Sequence, residues 1–429
     1  MTRRLIAVRV ILLGVCATAM PGLARDALAE TYYVRKSGSD SASGLTPATA
    51  WASITKAATS MIAGDTVYVG AGTYQTEVVP ASSGTSTNPI RYIADTTGQN
   101  TGDAGAVTIS TWGSSHGFEL KNRDYVEIRG FSLRISGQFA ILISSSIGCK
   151  IIGCDASGSS KPGFDIVGSE VEIEGCVVKN LGAAGIEIGP KGGVQSKVTI
   201  RNVSITGVSA ECVKIKSDST VVIEDSTFYN YPTIGVLVGG RAQATVSRCT
   251  FYGGSTGVQA SGDSIAVDNC LFYNMGGEAL HVPNGSGAKH QATFINCTVS
   301  SVSRGVFNDA GTCYVINSIF NNCGGGGIVG SGKATYDYHN LFNNNQPSGN
   351  ITESVGRVTG DPKFKSWNDF HTQDGSPARD AGTPVDALIT LDKLKRPANG
   401  AFDIGCYEYG ATSSEAQPRV FRWTQVAPQ

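Results

Sequence analysis

The sequence predicts an all-β solenoid, a chain wound into short coils that stack strand upon strand. Three observations carry that prediction. Glycine is abundant, at 54 of 429 residues, while charged residues make up only 16%, a composition suited to many short strands joined by tight turns. Short segments recur about every 22 residues, with two longer intervals: GFDIVG at 163, GIEIGP at 185, CVKIKS at 212, GVLVGG at 235, GVQASG at 257, ALHVPN at 279, GVFNDA at 305 and GIVGSG at 327. Behind them come VEIEGCVV, VTIRNVSI, VVIEDSTF, ATVSRCTF, IAVDNCLF, ATFINCTV and CYVINSIF, alternating and β-branched, each read as a second strand of its coil. A coil this short has neither room nor periodicity for paired helices, which excludes a helical solenoid.

The elements follow in order. Arg3 and Arg4, the apolar run LIAVRVILLGVCATAM and the small-residue pattern Ala27-Leu28-Ala29 predict a secretory signal over residues 1–29. The run is short and interrupted by Arg9, which argues against a membrane anchor. A secreted or periplasmic protein with no membrane span is therefore expected. Residues 30–115 read as an N-terminal cap and first coils, in which ATAWASITKAATSM has the spacing of a short amphipathic helix able to close the open end of the core. Residues 116–345 form the repeat core, 346–410 the C-terminal coils and 411–429 a polar tail, of which VFRWTQV is suited to docking back.

Two repeated positions describe the coil's corners. Asn180, Asn230, Asn274 and Asn321 follow the second segment, and asparagine tolerates the left-handed backbone of a tight bend. Cys154, Cys176, Cys249, Cys270 and Cys297 recur at one point of the repeat. Stacked coils place them in one column of small buried side chains, so buried thiols are expected, with a disulfide left open for Cys313, Cys323 or Cys406. Phe251, Tyr252, Phe272 and Tyr273 repeat likewise and read as core or turn stacking. The net charge of −1 suggests neither a nucleic-acid partner nor attraction to anionic membranes, and a monomer is expected.

These features together resemble the right-handed parallel β-helix proteins, which include pectate lyases, chondroitinase-B and alginate-lyase relatives, epimerases and many secreted proteins. The resemblance covers nearly the whole chain after residue 29. TYYVRKSGSDSASGLTPATAWASITKAATSMIAGDTVYVGAGTY is similar to the cap of such proteins, and GDPKF, DFHTQDGSPARDAGTP and AFDIGCYEYG are similar to their DIGxYEYG-type ends. The resemblance implies that alternate residues of each coil's first strand face outward and that coils stack ~4.8 Å apart. The outward column is then Asp165, Glu187, Lys214, Leu237, Gln259, His281 and Phe307, with Lys216 at the next outward position and Arg241 just past its strand.

Acids, lysines and an arginine on neighbouring rungs suit β-elimination of a uronic-acid chain. That reaction removes the C5 proton once the adjacent carboxylate is neutralised by a metal ion or a cation. A lysine crowded by other cations gives up its proton more easily, which points to Lys216 as base with Lys214 beside it. Glu187, Asp165 and Glu211 are oxygen donors suited to Ca2+, and Gln259 and His281 are candidates for contact with an acidic polysaccharide. Locally, ECVKIKSDSTVVIEDSTFYNYPTIGVLVGGR is similar to the catalytic stretch of the chondroitinase-B and alginate-lyase family. The similarity implies Glu211 as a Ca2+ ligand, Lys216 as base and Arg241 as the carboxylate-facing cation. Ser209 stands where that family has a second acid, and Ala242-Gln243 where it has His-Gly. The expected function is a secreted polysaccharide lyase. A uronate epimerase, a glycoside hydrolase working through Asp165 and Glu187, and a non-catalytic glycan-binding surface protein stay open.

Overall fold

Each coil is built from three strands rather than two. The computed structural model describes residues 29–284, 290–344, 346–386, 389–398 and 400–411. The expected signal segment up to residue 28 and the tail from 412, including VFRWTQV, lie outside the described residues. Within them the chain is a right-handed parallel β-solenoid. The segment read as one second strand is broken by a single residue in the left-handed region: Asp225 (φ 53°), Arg248 (φ 52°), Asn269 (φ 52°) and Asn296 (φ 52°) hold this place on successive coils. Glu170–Glu174 and Val177–Leu181 are thus separate strands of one coil. The alternation of apolar residues runs on through the corner, so the periodicity alone does not reveal it.

Fourteen strands, from Thr31–Val34 to Glu353–Val355, stack in parallel as one sheet. The other two strand columns merge into a second, 22-stranded sheet, because Leu271–Val282 and Thr298–Asn308 pass through the corner without a break. The other repeated bend has the predicted backbone at Asn180 (φ 53°), Asn230 (φ 50°) and Asn274 (φ 50°). In the fourth case Asn322 (φ 52°), not Asn321, takes the left-handed place, since Asn321 still belongs to the strand Ile319–Asn321.

Inward residues form one continuous core. Phe228, Phe251 and Phe272 are fully buried and stack with centroids 4.9 and 4.8 Å apart, each ring stabilising the fold by roughly 2–3 kcal/mol. Tyr229, Tyr252 and Tyr273 stack beside them at 5.1 Å spacing, one position further along the chain. Glycine opens several first strands for steric reasons: a Cβ on Gly235 would lie 2.6 Å from the Gly257 carbonyl oxygen of the next coil. All ten described cysteines are buried and none is in a disulfide. The predicted cap helix is Ile54–Ser60, capped by the Ser53 side chain and burying Ile54, Ala57 and Ala58. No helix of the described residues is long and apolar enough to cross a membrane.

The C-terminal part departs from the coil pattern expected for 346–410. Stacking ends with Val358–Thr359, after which Phe364–Ser366 and Asp369–Thr372 form an antiparallel pair. The chain then returns along the solenoid: Asn317 Nδ2 donates to the Thr383 carbonyl (2.7 Å), and the Cys406 amide donates to Thr298 Oγ1 (3.1 Å) across 108 positions of sequence. Arg396, wholly buried, donates to the carbonyls of Gly405 and Asp403 and lies 3.8 Å from Glu408. Glu408 in turn accepts from the amides of Ala398 and Asp403. The polar residues of DIGCYEYG are thus spent on fixing this returning segment.

Candidate active site

The outward column stands as the repeat spacing predicts. Parallel pairing aligns Asp165 with Glu187, Glu187 with Lys214, Lys214 with Leu237, Leu237 with Gln259, Gln259 with His281 and His281 with Phe307. The strands Phe164–Val167, Ile186–Gly189 and Val213–Ile215 alternate strictly, burying Phe164, Ile166, Ile186, Ile188, Val213 and Ile215 and pushing the charged residues to the surface. Upstream the column continues through Leu142 to Glu119.

Three of the predicted residues share a cleft. Glu187, Glu211 and Lys214 line a hollow of about 390 Å³ together with Lys161, Ser160 and Phe139. Sequence reasoning missed Lys161 and Phe139. Lys161 stands in the Ser-rich loop SGSSKPG, which runs directly into the strand Phe164–Val167 that carries Asp165; that nearness in sequence is the signal that would have found it.

The charges in and around the cleft are largely paired. Lys214 Nζ lies 3.7 Å from Glu211 Oε1, and Lys216 contacts Glu187 Oε1 directly. Asp165 differs: its Oδ1 is buried without a hydrogen-bond partner. Burial first, and then the neighbouring Glu187 charge, push its carboxyl up to about 6, only partly offset by Lys216. A carboxyl poised there can give or take a proton near neutral pH.

The remaining predicted residues are not brought into the cleft. Arg241 makes a two-pronged pair with Asp218 (2.7 and 2.9 Å), its side chain largely exposed, and that arginine holds the Asp218 carboxyl below its ordinary value. Its charge faces Asp218 rather than the lining of the cleft. Gln259 donates to Ser261 Oγ at 3.4 Å, beyond Leu237. His281 hydrogen-bonds the Asp309 carboxylate (3.0 Å) and stacks on Phe307 at 5.1 Å. Nor do Asp165, Glu187 and Glu211 converge as cation ligands: among the described residues the group of three donors within 4.8 Å of one another is Glu77, His116 and Glu119.

Comparison with known proteins places the architecture. A family described as "Right handed beta helix region" matches residues 96–196 and 192–347. No curated protein matches the chain. Among solved structures, pectate lyase Pel9A is 14% identical, with a TM-score of 0.57 over 88% of this chain and 96% of that one. GH136 lacto-N-biosidase from Eubacterium ramulus is 11% identical, with a TM-score of 0.51 over 77% and 68%. A mannuronic acid specific family 6 polysaccharide lyase from human gut microbiota is 15% identical, with a TM-score of 0.50 over 77% and 83%. At such identities the likeness is one of fold.

Proposed function

The chain belongs to the right-handed β-helix family, and from that premise we propose that it is an exported polysaccharide lyase, cleaving a uronic-acid-containing glycan by β-elimination. Export rests on the charged start, the apolar run and Ala27-Leu28-Ala29. One observation carries the chemical reading: two lysines, Lys161 and Lys214, line one cleft with Glu187 and Glu211, one rung from Asp165, whose carboxyl burial pushes up to about 6.

The roles follow from position. Lys161, the cleft lysine with no role as base, neutralises the uronate carboxylate, which makes the C5 proton removable. Lys214, the lysine of the AECVKIKSDS stretch that lines the cleft, takes that proton as its amine. Asp165 protonates the departing oxygen. This moves the base from Lys216, favoured by sequence similarity, to Lys214, and moves the neutralising cation from Arg241 to Lys161. No step runs through Ca2+, because Asp165, Glu187 and Glu211 do not converge.

The test is a screen of the purified protein on alginate, pectate and glycosaminoglycans, following the absorbance of unsaturated uronate products. No absorbance with any of them, with and without Ca2+, overturns the lyase reading. A second reading has its own support: Asp165 and Glu187 are carboxylates on adjacent rungs with Asp165 raised, the pairing that a glycoside hydrolase uses. New reducing ends without that absorbance decide for hydrolysis.

A further inference from the structure

We propose that Glu77, His116 and Glu119 form a binding site for one first-row divalent cation of the Zn2+ or Mn2+ kind, at the N-terminal end of the outward column. The proposal is independent of the lyase reading, and none of the three donors has a role in it.

The three donors come from two coils. Glu119 is the outward residue of Phe118–Lys121, in register with Leu142 two rungs before Asp165. His116 precedes that strand. Glu77 arrives from the previous coil beside Val78, which bridges to Phe118. One atom from each lies within 4.8 Å of the others. Bonds of ~2.1 Å to a common ion require separations of at most ~4.2 Å, so a small side-chain rotation closes the set.

The imidazole is held by contacts that do not use Nδ1. The His116 amide donates to Glu77 Oε1 (2.9 Å), which ties that carboxylate to the histidine backbone. The ring stacks flat on Phe139, with centroids 5.4 Å apart and planes 1° from parallel. His116 Nδ1 is buried with no hydrogen-bond partner, a state that ordinarily costs stability and calls for an explanation. A cation provides one.

The donor set chooses among metals. One imidazole and two carboxylates are too few oxygens for Ca2+, which takes six to eight. They suit a first-row cation bound by three protein ligands with a position left open. Phe139 also lines the cleft, so the open position would lie at one end of the same groove and would take an anionic or hydroxyl oxygen of a bound ligand. Lys121 contacts Glu119 and competes with the ion.

The test uses the full chain, stripped with a chelator and then titrated with Zn2+ and separately with Ca2+ by calorimetry, with Co2+ absorption as a second readout. The expected result is a single Zn2+ whose Kd weakens at least ~30-fold in His116→Ala and in Glu119→Gln and tightens in Lys121→Met. The Co2+ spectrum should lack thiolate bands, which separates this site from the buried cysteines. Glu77→Gln, checked by circular dichroism, guards against loss of fold in the histidine variant. No binding by the wild type, or binding that survives both substitutions, overturns the proposal.

Discussion

Asp165 and Glu187 lie directly in register on adjacent parallel strands, and the buried Asp165 carboxyl, beside that second negative charge, is pushed up to about 6. Burial disfavours the charged form first, the like charge one rung away adds to that, and the carboxyl keeps its proton to higher pH as a result.

This raised group makes stability depend on pH. Its folded value lies above the ordinary unfolded value of 3.8, so the folded chain holds the proton more tightly. Its penalty is absent below about pH 4, grows as pH rises to about 6 and is complete above that. Asp165→Asn should remove it, gaining about 2 kcal/mol at pH 7.5 and nothing at pH 4, after allowance for partial exposure. Urea unfolding at the two pH values checks this, and equal gains at both would refute the assigned cause.

The cleft residues should separate from the peripheral ones. On whichever glycan is cleaved, Lys214→Ala and Lys161→Ala should each lower kcat/KM by about 10²-fold or more, while Arg241→Ala should change it by less than about 5-fold, since Arg241 is paired with Asp218 outside the cleft. Initial rates of the purified variants decide this. An Arg241→Ala loss as large as that of Lys214→Ala would return the carboxylate-facing role to Arg241.

The thiols should be inert until the chain unfolds. Cys154, Cys176, Cys249, Cys270 and Cys297 are buried, and burial raises most of these thiols, Cys249 and Cys270 well above their ordinary value. A thiol reagent should therefore find none of the ten described cysteines reactive in the native protein and all of them reactive in denaturant. A reducing agent should leave the unfolding midpoint unchanged.

The returning C-terminal segment should depend on Arg396. Arg396→Ala leaves Glu408 and the Gly405 carbonyl buried without their cation, a loss of roughly 3–5 kcal/mol. Limited proteolysis should then cut between 364 and 411 while the coils before 344 stay resistant. Pairing the change with Glu408→Gln should recover part of the loss, because it removes the stranded charge.

The sequence by itself determined the solenoid, its rung spacing and the order of the outward column. A repeat of about 22 residues fixes which residues stack, and strand alternation fixes which face they take. Lys214, for example, could be set between Glu187 and Leu237 before any coordinates. Other features only the tertiary structure decided. The split of the second segment into two strands depends on one left-handed residue per coil, Asp225 or Asn269 among them, which interrupts the backbone without disturbing the apolar period. The partners of Lys216 and Arg241, the place of Lys161 over the cleft and the convergence of Glu77 with His116 and Glu119 depend on side-chain direction and on loops between coils. Spacing along a chain fixes the rung on which a residue stands. Which charges meet across rungs is set by packing in three dimensions, and the chemistry of the site depends on those meetings.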